Sequence, residues 1–343
     1  MKNNKLNEFL ESQLSNSLGS STYVGDGSYA YFKQLKESLI EKHQDQSLED
    51  IKGLSKIDTD YGETLKIISK EKIDFNLENC NFKDNLNHNL KLIPRIGPNK
   101  EISLKEKGFN TIEDLTSHEK YSKSAKEVLD TLENKSFLDI YNLLQCNKYS
   151  KECKDNIIKS TSIVDSEKFK FMDIETLGLS NCPIILIGVA EIEGNTITTS
   201  QYFLENKTQE KAVIDSYLAH INDDSIHVTF NGASFDIPFI KNRSNYYNIS
   251  KDLNQCHFDL IYFARNLWKN QLPNCRLTTI EEEIFDIKRI DDVPGSEIPD
   301  YYDTYLKTNN IGPIIPIIEH NRQDIVSLAS FLMKMYSETL NNY

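Results

Sequence analysis

The chain has 343 residues, of which 38% are hydrophobic and 27% charged, with a formal net charge of −13. That apolar content suffices for a buried core and excludes a disordered chain. The acidic balance argues against a protein that coats nucleic acid nonspecifically, because phosphate neutralisation needs basic side chains.

The length suits one large domain or two to three smaller ones. Met1-Lys2-Asn3-Asn4-Lys5 is followed by no apolar stretch, so no secretory signal is expected. Residues 1–90 are polar and rich in Asn, Lys and Ser. Within them Gly19-Ser20-Ser21-Thr22 reads as a loop and Tyr29 to His43 as a helix, and no chemistry is visible. Residues 91–150 read as short helices. Leu92-Ile93-Pro94-Arg95-Ile96-Gly97-Pro98 forms a tight apolar turn, and a helix from Asn99 to Lys107 stops at Gly108. Tyr121, Ala125, Val128, Leu129 and Leu132 then recur at helical spacing.

Residues 165–338 change character. Phe169 to Asp173, Ile184 to Glu191, Thr196 to Phe203 and Ile226 to Phe230 read as strands. The longest apolar run, Pro183 to Ala190, is too short to span a bilayer and reads as a buried strand, so no membrane partner is expected. Helices are expected over Thr208 to Ile221, Pro238 to Tyr246, Leu260 to Trp268, Thr278 to Ile284 and Pro313 to Tyr336. Thr278 with Glu281 has the pattern of a capping box. Glu281-Glu282-Glu283 reads as a solvated first turn that suits the helix dipole. Trp268, Tyr301, Tyr302 and Tyr305 read as core. Three strands followed by helix–strand alternation indicate an α/β fold, a mixed sheet flanked by helices. The cysteines Cys80, Cys146, Cys153, Cys182, Cys256 and Cys275 form no Cys-x-x-Cys pair, so a zinc site or disulfide framework is not expected. A reducing cytoplasm is the natural compartment.

Three acidic segments carry the chemistry. In Phe169-Lys170-Phe171-Met172-Asp173-Ile174-Glu175-Thr176, strand alternation puts Phe169, Phe171, Asp173 and Glu175 on one face. Two carboxylates that close repel, and a divalent cation between them removes the repulsion. Taken alone, the pair also fits a solvated acidic turn. Asp236 follows a strand end at Asn231-Gly232 and doubles as a candidate helix N-cap. His320 and Asp324 are four residues apart on the last helix and share a face beside Ile317 and Leu328. Together the segments offer four carboxylates and one proton acceptor. Hard cations take oxygen ligands, and phosphodiester hydrolysis benefits from two such ions about 4 Å apart.

These residues resemble the DEDD exonuclease superfamily. Asp173-Ile174-Glu175-Thr176 matches its first motif, and Asn231 through Asp236, with Pro238 behind, resembles the second motif of the proofreading domain of family B DNA polymerases. His320-Asn321-Arg322-Gln323-Asp324 matches the third, with His320 at the spacing of the tyrosine-bearing members. A closer resemblance is to the YprB-type ribonuclease H-like domain. It is carried by His257-Phe258-Asp259-Leu260, Leu272-Pro273-Asn274-Cys275, Asp292-Val293-Pro294-Gly295-Ser296-Glu297-Ile298-Pro299 and His320-Asn321-Arg322, and it covers residues 165–335. The resemblance implies a 3′ to 5′ exonuclease on DNA or RNA with a single-stranded end, using two Mg²⁺ or Mn²⁺ ions. Asp173, Glu175 and Asp324 would hold one ion, with Asp173 bridging to the second beside Asp236. His320 would orient the attacking water, and Asn231 and Phe235 would face the substrate nucleotide. Asp259 is expected to be a structural N-cap before Leu260.

Residues 91–135 resemble a helix-hairpin-helix element, whose Gly-x-Gly hairpin offers backbone N–H groups to a phosphate. Arg95 stands where the first glycine would be and Gly97 remains, so both are candidate nucleic-acid contacts. The acidic net charge predicts weak substrate binding unaided, or help from a protein partner. Two other functions compete: a catalytically silent nucleic-acid-binding protein of the same fold, and a phosphatase of the haloacid dehalogenase type. All four acids are present, which disfavours the first. Leu177 stands where the second would have threonine, which disfavours that one.

Overall fold

The longest apolar run in the chain becomes the middle strand of a seven-stranded sheet. The computed structural model describes residues 26–77, 81–145, 151–253 and 255–341. Gly19 to Thr22, Cys80 and Cys146 lie outside the described residues. The strands are β1 (Leu54–Thr59), β2 (Gly62–Lys72), β3 (Phe169–Thr176), β4 (Ile184–Glu193), β5 (Thr196–Phe203), β6 (Ile226–Thr229) and β7 (Cys256–Asp259). Helices in the first part of the chain are α1 (Asp26–Lys42), α2 (Phe82–Asn87), α3 (Pro98–Glu106), α4 (Ser122–Asn134), α5 (Phe137–Leu144) and α6 (Lys151–Lys159). Those in the second are α7 (Glu210–Leu218), α8 (Asp236–Tyr246), α9 (Leu260–Trp268), α10 (Leu277–Phe285), α11 (Ile298–Thr308) and α12 (Ile314–Asn341).

The chain divides into two compact units. The first comprises residues up to Asp74 with Phe169–Phe331, and the second Phe75–Lys168 with Leu332–Tyr343. This differs from the expected regions 1–90, 91–150 and 165–338. The polar N-terminal stretch is no separate region, because its hairpin β1–β2 extends the sheet along β5. Only Thr64, Leu65 and Ile67 of β2 are fully buried, so the strand pattern there is weak.

In the first unit the sheet order is β1-β2-β5-β4-β3-β6-β7. Strands β1 through β5 pair antiparallel, whereas β3–β6 and β6–β7 are parallel. The helices after β5 follow from this, since a parallel neighbour needs a crossover connection. Residues Ile184 to Ile187, Phe203, Tyr217, Ile240, Tyr301, Tyr302 and Tyr305 form its core. Trp268 and the three tyrosines are buried, as expected from their spacing. The expected capping box does not form: α10 begins at Leu277 after Arg276, so Thr278 is already inside the helix. Four-residue β7 carries too short a pattern to be read from sequence.

Gly188 decides how closely α12 approaches the sheet. A Cβ there would lie 2.2 Å from Asn321 Oδ1 and 2.2 Å from Ile325 Cδ1. Gly188 pairs with Asp173 across β3 and β4, so this close approach sets α12 against the first acidic motif.

His227 on β6 and His257 on β7 are cross-strand partners. Burial lowers His227 to about 4, and burial with the neighbouring His227 lowers His257 to about 3. The unfolded chain takes up these protons near pH 6.5 and the fold resists them. Each neutral ring therefore contributes stability that is present above pH 6.5 and lost as the pH falls towards the folded-state values. Replacing His227 by Gln should flatten the acid limb of the stability profile. We expect the wild type to lose about 1–2 kcal/mol more than the variant between pH 7 and pH 5, read from urea-unfolding midpoints. Parallel profiles would show that His227 is protonated in the fold.

In the second unit, the apolar stripe of α4 is as expected: Ala125, Val128 and Leu132 are buried. They pack in the same unit as Phe82, Leu86, Leu90, Ile96, Leu104 and Ile112. Arg95 has φ 70, the left-handed conformation that glycine adopts most readily. Gly97 caps α3, which starts with Pro98.

Candidate active site

Strand β3 delivers Asp173 and Glu175 on the face that also holds buried Phe169 and Phe171. The strand pairs regularly with β4 as far as Glu175, and the register shifts between Glu175 and Thr176. The acids thus stand where regular pairing ends. Between them, the Ile174 N–H donates to Asp236 Oδ1 at 3.2 Å.

Asp236 is the first residue of α8 and is buried; Phe235, not Asp236, occupies the N-cap position. The turn before it runs through Asn231, at φ 68. Asp259 at the end of β7 holds that turn: it accepts from Asn231 N at 2.7 Å and Ala233 N at 3.1 Å. It also accepts from Ile261 N at 3.3 Å, the capping bond expected of it. Asn231 and Phe235 are half-buried.

Helix α12 brings the remaining groups. Asn321 is buried, and its Nδ2 donates to Asp173 Oδ2 at 2.8 Å and to the Asp173 carbonyl at 3.1 Å. Gln201 of β5 fixes the amide by donating to Asn321 Oδ1 at 2.9 Å. One helical position earlier, His320 Nδ1 donates to Asp292 Oδ1 at 2.6 Å. That bond turns Nε2 inward, 3.9 Å from both Glu175 Oε1 and Asp324 Oδ2. The carboxylate thereby fixes the ring plane.

The four expected acids share one electrostatic site. Burial pushes Asp173 well above the usual carboxylate range, and the charges of Asp324, Glu175 and Asp236 add to it. Burial raises Glu175 to about 8, although His320 opposes this. Asp236 is raised to about 7, again mainly by burial. Burial disfavours a charged His320, but Asp324, Asp292 and Glu175 outweigh it and raise the imidazole to about 10.

Arg289 supplies the second cation. Its Nε and Nη2 grip Glu281 at 2.6 and 2.8 Å, and Nη2 lies 2.5 Å from Asp324 Oδ1. Glu281 is fully buried and also accepts from Ser327, which corrects the expected solvated turn. Only Glu282 and Glu283 of that triplet are exposed. A buried Glu inside an acidic run has no local signature, because its cation is eight residues away in a loop. Asp292 and Asn321 lay inside the motifs quoted above, yet their contacts are with residues 28 and 148 positions distant.

These groups fit divalent cations by charge and donor type. Asp173, Glu175, Asp236, Asp324, Glu281 and Asp292 carry six carboxyls, against two cations in His320 and Arg289. The remaining formal charge is what two divalent ions would cancel. Asp324 Oδ1 is buried without a hydrogen bond of good geometry, so it has acceptor capacity left. Among the described residues no group of three or more His, Cys, Asp or Glu side chains stands placed to hold a metal ion in this arrangement. Asp173, Asp236 and Asp324 are held instead by Asn321, the Ile174 N–H and Arg289. Arg95 and Gly97 belong to the second unit.

Residues 170–336 match a family model described as RNase_H superfamily. This part of the chain is a ribonuclease H-like domain. A relative, the uncharacterized protein YprB of Bacillus subtilis (strain 168), is 32% identical over 176 residues, which are 50% of this chain and 42% of that protein. The chain therefore spans under half the length of the relative it matches. The superfamily supports a nuclease-type function on nucleic acid with divalent metals in general. Among the described residues no helix is long and apolar enough to cross a membrane.

Proposed function

We propose that the chain is a metal-dependent nuclease that hydrolyses phosphodiester bonds of DNA or RNA, running 3′ to 5′ from a single-stranded end. The supporting observation is that acids from a strand and two helices converge: Asp236 accepts from the Ile174 N–H between Asp173 and Glu175, and His320 Nε2 lies 3.9 Å from both Glu175 and Asp324. Two Mg²⁺ or Mn²⁺ ions would supply an activated water and stabilise the leaving oxygen.

Asp173, Glu175 and Asp324 would hold one ion, and Asp173 with Asp236 would hold the other. The Nε2 of His320, aimed inward by Asp292, orients the attacking water. Asn231 and Phe235 receive the terminal nucleotide. In the second unit Arg95 is exposed, and its backbone already has the left-handed hairpin geometry, which supports a phosphate contact with Gly97 at the α3 N-terminus. The net charge of −13 predicts weak substrate binding unaided, or help from a protein partner, and the cysteine usage suits a reducing cytoplasm.

End-labelled single- and double-stranded DNA and RNA, incubated with Mn²⁺, Mg²⁺ or chelator, test the reading. A metal-dependent ladder that shortens one nucleotide at a time from the 3′ end is expected. Binding without any shortening would favour the silent module instead, and release of phosphate from small phosphoesters alone would favour a phosphatase.

A further inference from the structure

Arg289 joins the carboxylate site to a second acid, the buried Glu281. Its side chain is 10% exposed and those of Asp324 and Glu281 are 17% and 1% exposed, so water screens the three little. The guanidinium sits against Asp324 Oδ1 while Glu281 holds it bidentately from the other side. Glu281 is itself tied to α12 through Ser327 and Gln323, which flank Asp324 on that helix.

We propose that Arg289 is a resident counter-cation that competes with a divalent ion for Asp324, and that Glu281 sets how strongly it competes. The proposal rests on the reading of Asp173, Glu175, Asp236 and Asp324 as a metal site. A fixed positive charge beside a ligand oxygen keeps the carboxylates together before loading. It also repels the incoming ion and polarises the oxygen the ion needs. Glu281 neutralises part of that charge. Removing Arg289 and removing Glu281 should therefore move metal affinity in opposite directions, whereas damage to the fold would weaken binding in both.

The test is Mn²⁺ binding to the full chain, followed by the loss of the free-ion electron paramagnetic signal, with thermal unfolding recorded on the same samples. Arg289→Gln is expected to bind Mn²⁺ about tenfold tighter than wild type or more, and to gain more thermal stability from it. Glu281→Gln should bind more weakly. The double variant Glu281→Gln/Arg289→Gln removes the buried Glu281 charge together with its cation, so Glu281 is not left unpaired, and it should still bind tighter than wild type. If Arg289→Gln alone does not fold, the double variant decides. Wild-type binding that Asp173→Asn abolishes, together with unchanged or weaker binding in the arginine variants, would overturn the competition and leave the metal site standing. No Mn²⁺ binding by the wild type would remove the metal site itself.

Discussion

Asp173→Asn should abolish metal-dependent cleavage while making the metal-free protein more stable. Asp173 is the acid shared by both proposed ion positions, so the change should lower turnover roughly a thousandfold or more. Asparagine keeps the size of the side chain and can still accept from Asn321 Nδ2. It removes one half-buried carboxylate from a site where burial and the charges of Asp324, Glu175 and Asp236 all disfavour its charged form. A gain of about 1–3 kcal/mol is expected at pH 7.5 in chelator, seen as a rise of several degrees in the unfolding midpoint. Mn²⁺ should stabilise the wild type and leave the variant unchanged. Cleavage at wild-type rates in Asp173→Asn would end the proposal for this site.

Gly188→Ala should damage both stability and activity, although Gly188 touches no substrate. The added methyl would meet Asn321 Oδ1 and Ile325 Cδ1, each at 2.2 Å, so these side chains must shift, and α12 with them where the packing leaves them no room. Overpacking of this kind costs about 1–3 kcal/mol. The same movement withdraws Asn321 from Asp173 and shifts Asp324 on the same helix. A displacement near 1 Å at a reacting centre lowers turnover about a hundredfold. Urea unfolding and single-turnover cleavage would measure the two effects. Combining Gly188→Ala with Asn321→Ala should recover part of the stability but not the activity, because the bond to Asp173 is gone. Full activity in Gly188→Ala would mean that the helix does not need to lie so close.

Where a residue's partners were local, the sequence was legible. The strands β3 to β6 and the helices after β5 emerged from period-2 and period-3.6 apolar patterns, since each buries one face against the same core. Asp173 and Glu175 were paired by strand alternation, and His320 and Asp324 by one helical turn. Asp259 was read as a cap from its place before Leu260, and it does cap α9. The hairpin β1–β2 was missed because an edge of a sheet buries little, and residues 1–90 read only as a polar stretch.

The sequence by itself determined a ribonuclease H-like domain over its second half, and it named four acids and a histidine as the place to look. Only the tertiary structure decided that Asp324 faces Arg289, that Asp292 orients His320, and that Glu281 is a buried partner rather than a solvated charge. The physical reason is range. Backbone periodicity acts between neighbours and leaves a pattern in the chain. Charge pairing in a low-dielectric interior acts between groups that folding brings together, and a lone Arg or Glu carries no mark of its future partner.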